Sequence, residues 1–144
     1  MSRVIIIGLD GVSWNVFVEL FNRGIMKNIN SMVKMGVHGT LRSTIPPFTV
    51  PSWVSLSSGV SSAKHGAYFF IKPREDYSSK PLSSYDVMYP RVYEMCSMEG
   101  LRNVVVNLPL SYPPIIFKGV MISDWVYPRY EVIPQSAKSW VKDY

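Results

Sequence analysis

Apolar and polar positions along the chain sort into a small set of elements. Val4-Ile5-Ile6-Ile7 is an unbroken β-branched run, the pattern of a strand buried on both faces, and Gly8-Leu9-Asp10-Gly11 ends it. Trp14, Phe17, Val18 and Phe21 then recur at the spacing of one helical face, with Gly24 as the natural stop. A second short helix is predicted from Asn28 to Lys34, with Ile29, Met32 and Val33 on one side and Gly36 at its end. Val37 to Thr44, with its β-formers, predicts a strand. Ile45-Pro46-Pro47-Phe48 cannot be helix interior. Thr49-Val50-Pro51-Ser52 reads as a helix start, because threonine caps well and proline fits the first turn. That helix carries Trp53, Val54 and Leu56 and stops near Gly59.

Ile71 to Ser84 is rich in charge, serine and proline, which predicts a surface loop. Another amphipathic helix is expected from Tyr85 to Met98, bent at Pro90 and ended by Gly100. Asn103 to Asn107 predicts a second buried parallel strand, Tyr112-Pro113-Pro114 a turn, and Val120 to Ser123 a short strand. Strands alternating with helices imply βαβ units with right-handed crossovers. The expected fold class is therefore α/β, with a mostly parallel sheet flanked by helices.

Composition adds two constraints. The chain has 144 residues, the size of one domain. Its charged fraction of 17% falls below the usual level of about 25%, and 13% of its residues are aromatic. Such a chain buries more surface than one small domain can hide, which predicts an incomplete domain or self-association through exposed apolar surface. The net charge of +5 permits a polyanionic partner. The basic residues are scattered, however, so no dedicated nucleic-acid binding is expected. A single cysteine, Cys96, excludes an internal disulfide and a thiolate metal cluster and points to a reducing, cytoplasmic compartment. No segment reaches the roughly 20 apolar residues of a membrane span, and the first apolar run is too short for a signal peptide. A protein without membrane association is the expectation.

Two residues stand out as chemistry. Asp10 falls at the carboxyl end of the first predicted strand, where open α/β sheets bind their ligands. An aspartate there is either a metal ligand or a cap for the helix that follows. Thr49 lies between Pro47 and Pro51 at a helix start, among backbone amides that attract phosphate. It is either a cap or a nucleophile, and the second role needs a metal to lower its pKa. His38 and His65 are the only histidines, too few for an evident dinuclear zinc site. His65 reads as a hydrogen-bonded structural residue, and His38 as half exposed on a strand. The spacings of a P-loop, a dinucleotide fingerprint and a Gly-x-Ser-x-Gly elbow are absent from the sequence.

Three stretches together carry a family resemblance. They are Val4-Ile5-Ile6-Ile7-Gly8-Leu9-Asp10-Gly11; Gly39 to Trp53, with Ile45-Pro46-Pro47-Phe48-Thr49-Val50-Pro51-Ser52 at its centre, continuing to Ser58-Gly59 and Lys64-His65-Gly66; and Asn107-Leu108-Pro109-Leu110-Ser111-Tyr112-Pro113-Pro114, followed by Gly119 to Ser123. In this order the chain resembles the amino-terminal portion of the type I phosphodiesterase / nucleotide pyrophosphatase family, within the alkaline phosphatase superfamily. The resemblance implies that residues 1–144 are the amino-terminal part of a single alkaline-phosphatase-like catalytic domain. It implies Asp10 as ligand of one metal and Thr49 as the nucleophile bound to that same metal. Two divalent ions, zinc or alternatively manganese, would serve the attack on a phosphodiester or pyrophosphate bond. The substrate would be a small phosphorylated molecule such as a nucleotide, passing through a phosphothreonine.

The family's further aspartate and histidine ligands have no match here: Asp76, Asp86, Asp124 and Asp143 lack histidine partners. Tyr68-Phe69-Phe70 stands where the family often has Asn or Asp. The expectation is an incomplete catalytic unit. Its rivals are a non-catalytic binding or interaction module of the same fold, and a phosphoryl transferase or phosphoglycerate mutase-like enzyme. A sulfatase is disfavoured because Thr49 cannot become formylglycine.

Overall fold

A computed structural model of the chain describes residues 3–115, 117–124 and 130–141. The chain divides into two compact units, Met1–Arg42 and Ser43–Tyr144.

In the first unit the two expected helices form. Helix α1 spans Trp14–Asn22 and helix α2 spans Lys27–Met35. Gly24, with φ at +71°, turns the chain between them as a left-handed residue should. The spacing of the aromatic positions in α1 is realised as ring contacts: Phe17 stacks on Phe21 at 5.7 Å, and Trp14 meets Phe17 at 6.3 Å. His38 stacks on Trp14 at 5.1 Å.

The two strands expected here do not form. Residues 3–9 adopt no regular element, and Val4, Ile5, Ile6 and Ile7 are between 70% and 85% exposed. Residues 37–44 likewise carry no ladder, so His38 is an exposed residue off any strand. The reason is non-local. A β-branched run states a preference for a pleated, covered surface, and it becomes a strand only when another strand supplies hydrogen bonds. Neither segment pairs with a strand among the described residues.

The second unit holds the sheet and the core. Helix α3 spans Thr49–Ser58 and is followed by the single turn α4, Ser62–His65. Strands β1 (Ile71–Pro73) and β2 (Ser79–Pro81) pair antiparallel, with Lys72 opposite Lys80. This hairpin replaces the loop expected from Ile71 to Ser84. Its bend is held by Asp76, which accepts the Ser78 amide at 3.0 Å and the Ser78 hydroxyl at 2.6 Å.

The helix expected from Tyr85 to Met98 is split. A 3-10 turn covers Ser84–Asp86, and helix α5 covers only Val92–Met98. Pro90 explains the break, because proline disfavours helical geometry at the residue before it and brings no N–H.

Strands β3 (Asn103–Val106), β4 (Gly119–Ile122) and β5 (Val132–Ile133) form one sheet in that order. β3 and β4 run parallel, Val106 opposite Ile122, while β5 is antiparallel to β4. The sheet is thus mixed rather than mostly parallel, because the short β5 returns on β4. Gly119 permits the close start of β4: a Cβ there would meet the Asn103 carbonyl oxygen at 1.9 Å. Val50, Val54, Ala67, Leu82 and Leu110 form one buried cluster, and Ile122, Val132 and Ala137 a second. No described helix is long and apolar enough to cross a membrane.

Candidate functional site

Thr49 is the first residue of α3, and the capping position belongs to Phe48, whose backbone is extended. The hydroxyl of Thr49 is therefore not the N-cap, and the capping alternative for this residue does not hold. It sits half buried at the positive end of a helix with no acidic residue in its first turn. The approach to it is braced locally. The Thr44 hydroxyl donates to the Pro46 carbonyl at 3.0 Å and shares a hydrogen bond with the Ser52 hydroxyl at 3.0 Å. The Phe48 amide donates to the Pro46 carbonyl at 3.0 Å. Phe48 also packs edge-on against Phe69 at 5.1 Å.

Below Thr49 the helix is pinned by burial. Val50 and Val54 are fully buried and share their cluster with Leu110, in the loop that follows β3. His65 fixes the other side. Its ring is fully buried, its Nδ1 accepts the Ala67 amide at 3.1 Å, and its Nε2 lies 2.9 Å from the Ser55 hydroxyl. With Nδ1 accepting, the neutral ring carries its proton on Nε2 and donates to Ser55. His65 is thus a structural residue, as its sequence context predicts, and not a base for Ser55. Burial pushes its pKa below the ordinary value, against smaller opposing effects of backbone hydrogen bonds.

The loop after β3 is held by a buried polar group that the hydrophobic pattern does not announce. Arg91 is 2% exposed and pairs with Glu94 through Nε at 3.0 Å and through Nη2. Its Nη1 donates to the Leu110 carbonyl at 2.6 Å. Asp124, fully buried, accepts the amides of Ser111 at 2.8 Å and Tyr112 at 3.2 Å through Oδ2. Ser84 donates its hydroxyl to the Pro113 carbonyl, and its amide reaches the Tyr112 carbonyl at 2.8 Å. Arg91 also lies over the Tyr93 ring. The Tyr93 hydroxyl is pushed well above its ordinary pKa, chiefly by burial.

Asp10 belongs to the first unit and Thr49 to the second. Asp10 is exposed in a turn with Gly11, whose φ is +67°, instead of closing a buried strand. The other aspartates have structural work. Asp76 closes the hairpin. Asp86 closes a capping box with Ser83 and takes the Lys80 ammonium at 2.7 Å and that of Lys72 at 3.7 Å. Burial opposes the charge of Asp86, but Lys80 and Ser83 outweigh it and hold the carboxyl below its ordinary pKa. Asp124 anchors the loop, and Asp143 lies outside the described residues. Among the described residues no three His, Cys, Asp or Glu side chains gather into a metal-holding group. The described donors therefore do not amount to a two-metal centre.

A family model described as type I phosphodiesterase / nucleotide pyrophosphatase matches residues 4–139. The comparisons with curated proteins and with solved structures find no match.

Proposed function

Because the chain belongs to the type I phosphodiesterase / nucleotide pyrophosphatase family, we propose that it is part of a hydrolase of phosphodiester or pyrophosphate bonds in which Thr49 is the nucleophile. The family is one of phosphodiesterases and nucleotide pyrophosphatases, is metal-dependent in general, and acts on phosphorylated small molecules. The observation that carries the reading is the extent of the match, which takes in both the Asp10 and Thr49 stretches. The helix start supports it: oriented amides and a rigid proline-flanked approach favour a phosphate at Thr49. In the proposed reaction the Thr49 oxygen forms a bond to phosphorus as the bond to the leaving oxygen breaks. The leaving group takes up a proton, and water then attacks the same phosphorus, releasing a phosphate monoester and returning the Thr49 hydroxyl.

Asp10 and Thr49 are this chain's proposed share of the metal ligands, with zinc as the expected ion and manganese as the alternative. The remaining ligands come from outside the described residues, so the catalytic unit formed by those residues is incomplete. The test uses the natural polypeptide that carries this sequence. Diester hydrolysis should vanish on chelation, return with zinc or manganese, and be lost in Thr49→Ala. Metal-restored hydrolysis that survives Thr49→Ala would overturn the assignment.

A second reading starts from the described residues, among which no three His, Cys, Asp or Glu side chains form a metal-holding group. The same fold could serve as a non-catalytic binding module, retaining phosphate affinity at α3 without turnover. Substrate binding by the natural polypeptide with no hydrolysis under any metal would select it.

A further inference from the structure

β3 is the outer strand of its sheet, and among the described residues no strand lies beyond it. Successive backbone groups of a strand point to opposite sides. The amides of Asn103 and Asn107 donate inward, to the Lys118 carbonyl at 2.9 Å and to the Ile122 carbonyl of β4 at 3.0 Å. Val104 and Val106, one step out of phase, therefore turn their N–H and C=O groups away from β4. Their side chains share one face and are 75% and 52% exposed. On that face the neighbouring strand is covered: Val120 and Ile122, in register with Val104 and Val106, pack with Val132 and Ala137. β3 itself reads Asn-Val-Val-Val, with no charged residue and no proline, the devices that commonly blunt a free edge.

Such an edge is a template for another strand, and a second copy of β3 fits it by parity. Antiparallel pairing about a two-fold axis through Val105 sets Val104 opposite the second copy's Val106, and Val106 opposite its Val104. Outward groups then meet outward groups, and each of these pairs exchanges both of its hydrogen bonds. Val105 faces its own copy as a non-hydrogen-bonded pair, with Cα atoms about 4.5 Å apart. The exposed valines of both copies merge into one apolar strip on one face. The nearest charges in the chain, the two Arg102 side chains, fall at opposite ends of the pairing, about 20 Å apart at the rise of a strand and beyond a screening length of about 8 Å. We infer that the free edge of β3 is a self-association surface, on which a second copy of this chain pairs β3 to β3 antiparallel and joins two three-stranded sheets into one. The contact uses the same patch on both copies, so it closes at the dimer. It involves none of the residues of the exposed Val4 to Ile7 run.

The test uses the whole chain carrying Ile5→Lys and Ile7→Lys, which removes the other apolar run. Sedimentation velocity should still show a monomer–dimer equilibrium that grows no further. Val104→Pro deletes only an outward amide in each copy, so it should weaken dimerisation by about tenfold, the effect of losing two hydrogen bonds. Val104→Lys should also weaken the dimer, and adding Val106→Glu should restore it, because this register sets each lysine opposite a glutamate. Should proline unfold the strand, the charge pair decides alone. In a Cys96→Ser chain, Val105→Cys should oxidise to a covalent dimer and Val104→Cys should not. A strictly monomeric chain, a Val104→Lys dimer that Val106→Glu does not restore, or cross-linking through position 104 in place of 105 overturns the inference. So do Val104 and Val106 amides that resist hydrogen exchange in the dilute monomer, because another segment of the chain would then already hold the edge.

Discussion

Replacing Arg91 by methionine tests how the loop under the candidate site is held. Methionine keeps the apolar stem and removes the guanidinium. Glu94, 5% exposed, then keeps the Arg91 amide at 2.7 Å but loses both guanidinium contacts. The Leu110 carbonyl loses its donor at 2.6 Å. Breaking one side of a buried ion pair costs about 3–5 kcal/mol, because the remaining charge is stranded. That is a large share of the roughly 5–15 kcal/mol that stabilises an ordinary domain. Arg91→Met combined with Glu94→Leu removes the stranded charge. The double variant should lose only about 1–3 kcal/mol, the penalty for the Leu110 carbonyl and the Arg91 amide left without partners. Urea unfolding of the wild type, both single variants and the double gives the coupling energy, expected at about 2 kcal/mol or more. Hydrogen exchange adds a second readout: the α3 amides should lose protection in Arg91→Met, since Leu110 packs with Val50 and Val54. A single-variant loss below about 1 kcal/mol, or additive losses in the double, would refute the reasoning.

Stability should also respond to pH through His65. Its folded pKa is depressed by burial below 6.5, so the unfolded chain takes up the proton first as pH falls. The contribution is complete above about pH 6.5 and declines below it toward the folded pKa, a slope that urea midpoints should show and that His65→Gln should flatten. The exposed run Val4 to Ile7 should drive concentration-dependent association, visible by sedimentation velocity and reduced by Ile5→Lys with Ile7→Lys. The isolated chain should bind zinc weakly and show no appreciable turnover of a nitrophenyl phosphodiester, because no three-ligand group exists among its described residues. Robust turnover lost in Thr49→Ala would show that the ligand set is complete.

Local rules made much of this chain legible. The aromatic spacing from Trp14 to Phe21 and the glycine stops foretold α1 and α2, and Gly59 foretold the end of α3. β3 and β4 followed from short β-branched runs and are parallel as expected, but β3 is not the buried strand its composition suggested: Val104 is 75% and Val106 52% exposed. What failed was non-local. Val4 to Ile7 has the composition of a buried strand, but pairing depends on a partner that the run itself does not encode. The hairpin at Ile71 was hidden because its strands are three residues long and rich in lysine and proline. The Asp76-Tyr77-Ser78 turn was the one signal that could have revealed it. Thr49 and Asp10 are singled out by their motifs alone. The residues that hold the loop under α3 gave no such signal: Asp124 meets its amides across 12 and 13 residues, and Arg91-x-x-Glu94 lacks the Ser or Thr that marks an ordinary capping box.

The most direct measurement is chemical. The natural polypeptide that carries this sequence, mixed with a phosphodiester and its metal and quenched in acid at early times, would be digested and read by mass spectrometry. The account predicts one modified peptide, with Thr49 esterified by the phosphoryl group and the alcohol that the diester retains, and no such adduct in Thr49→Ala. The adduct on another residue, or diester hydrolysis with none trapped on Thr49 at any quench time, would contradict it.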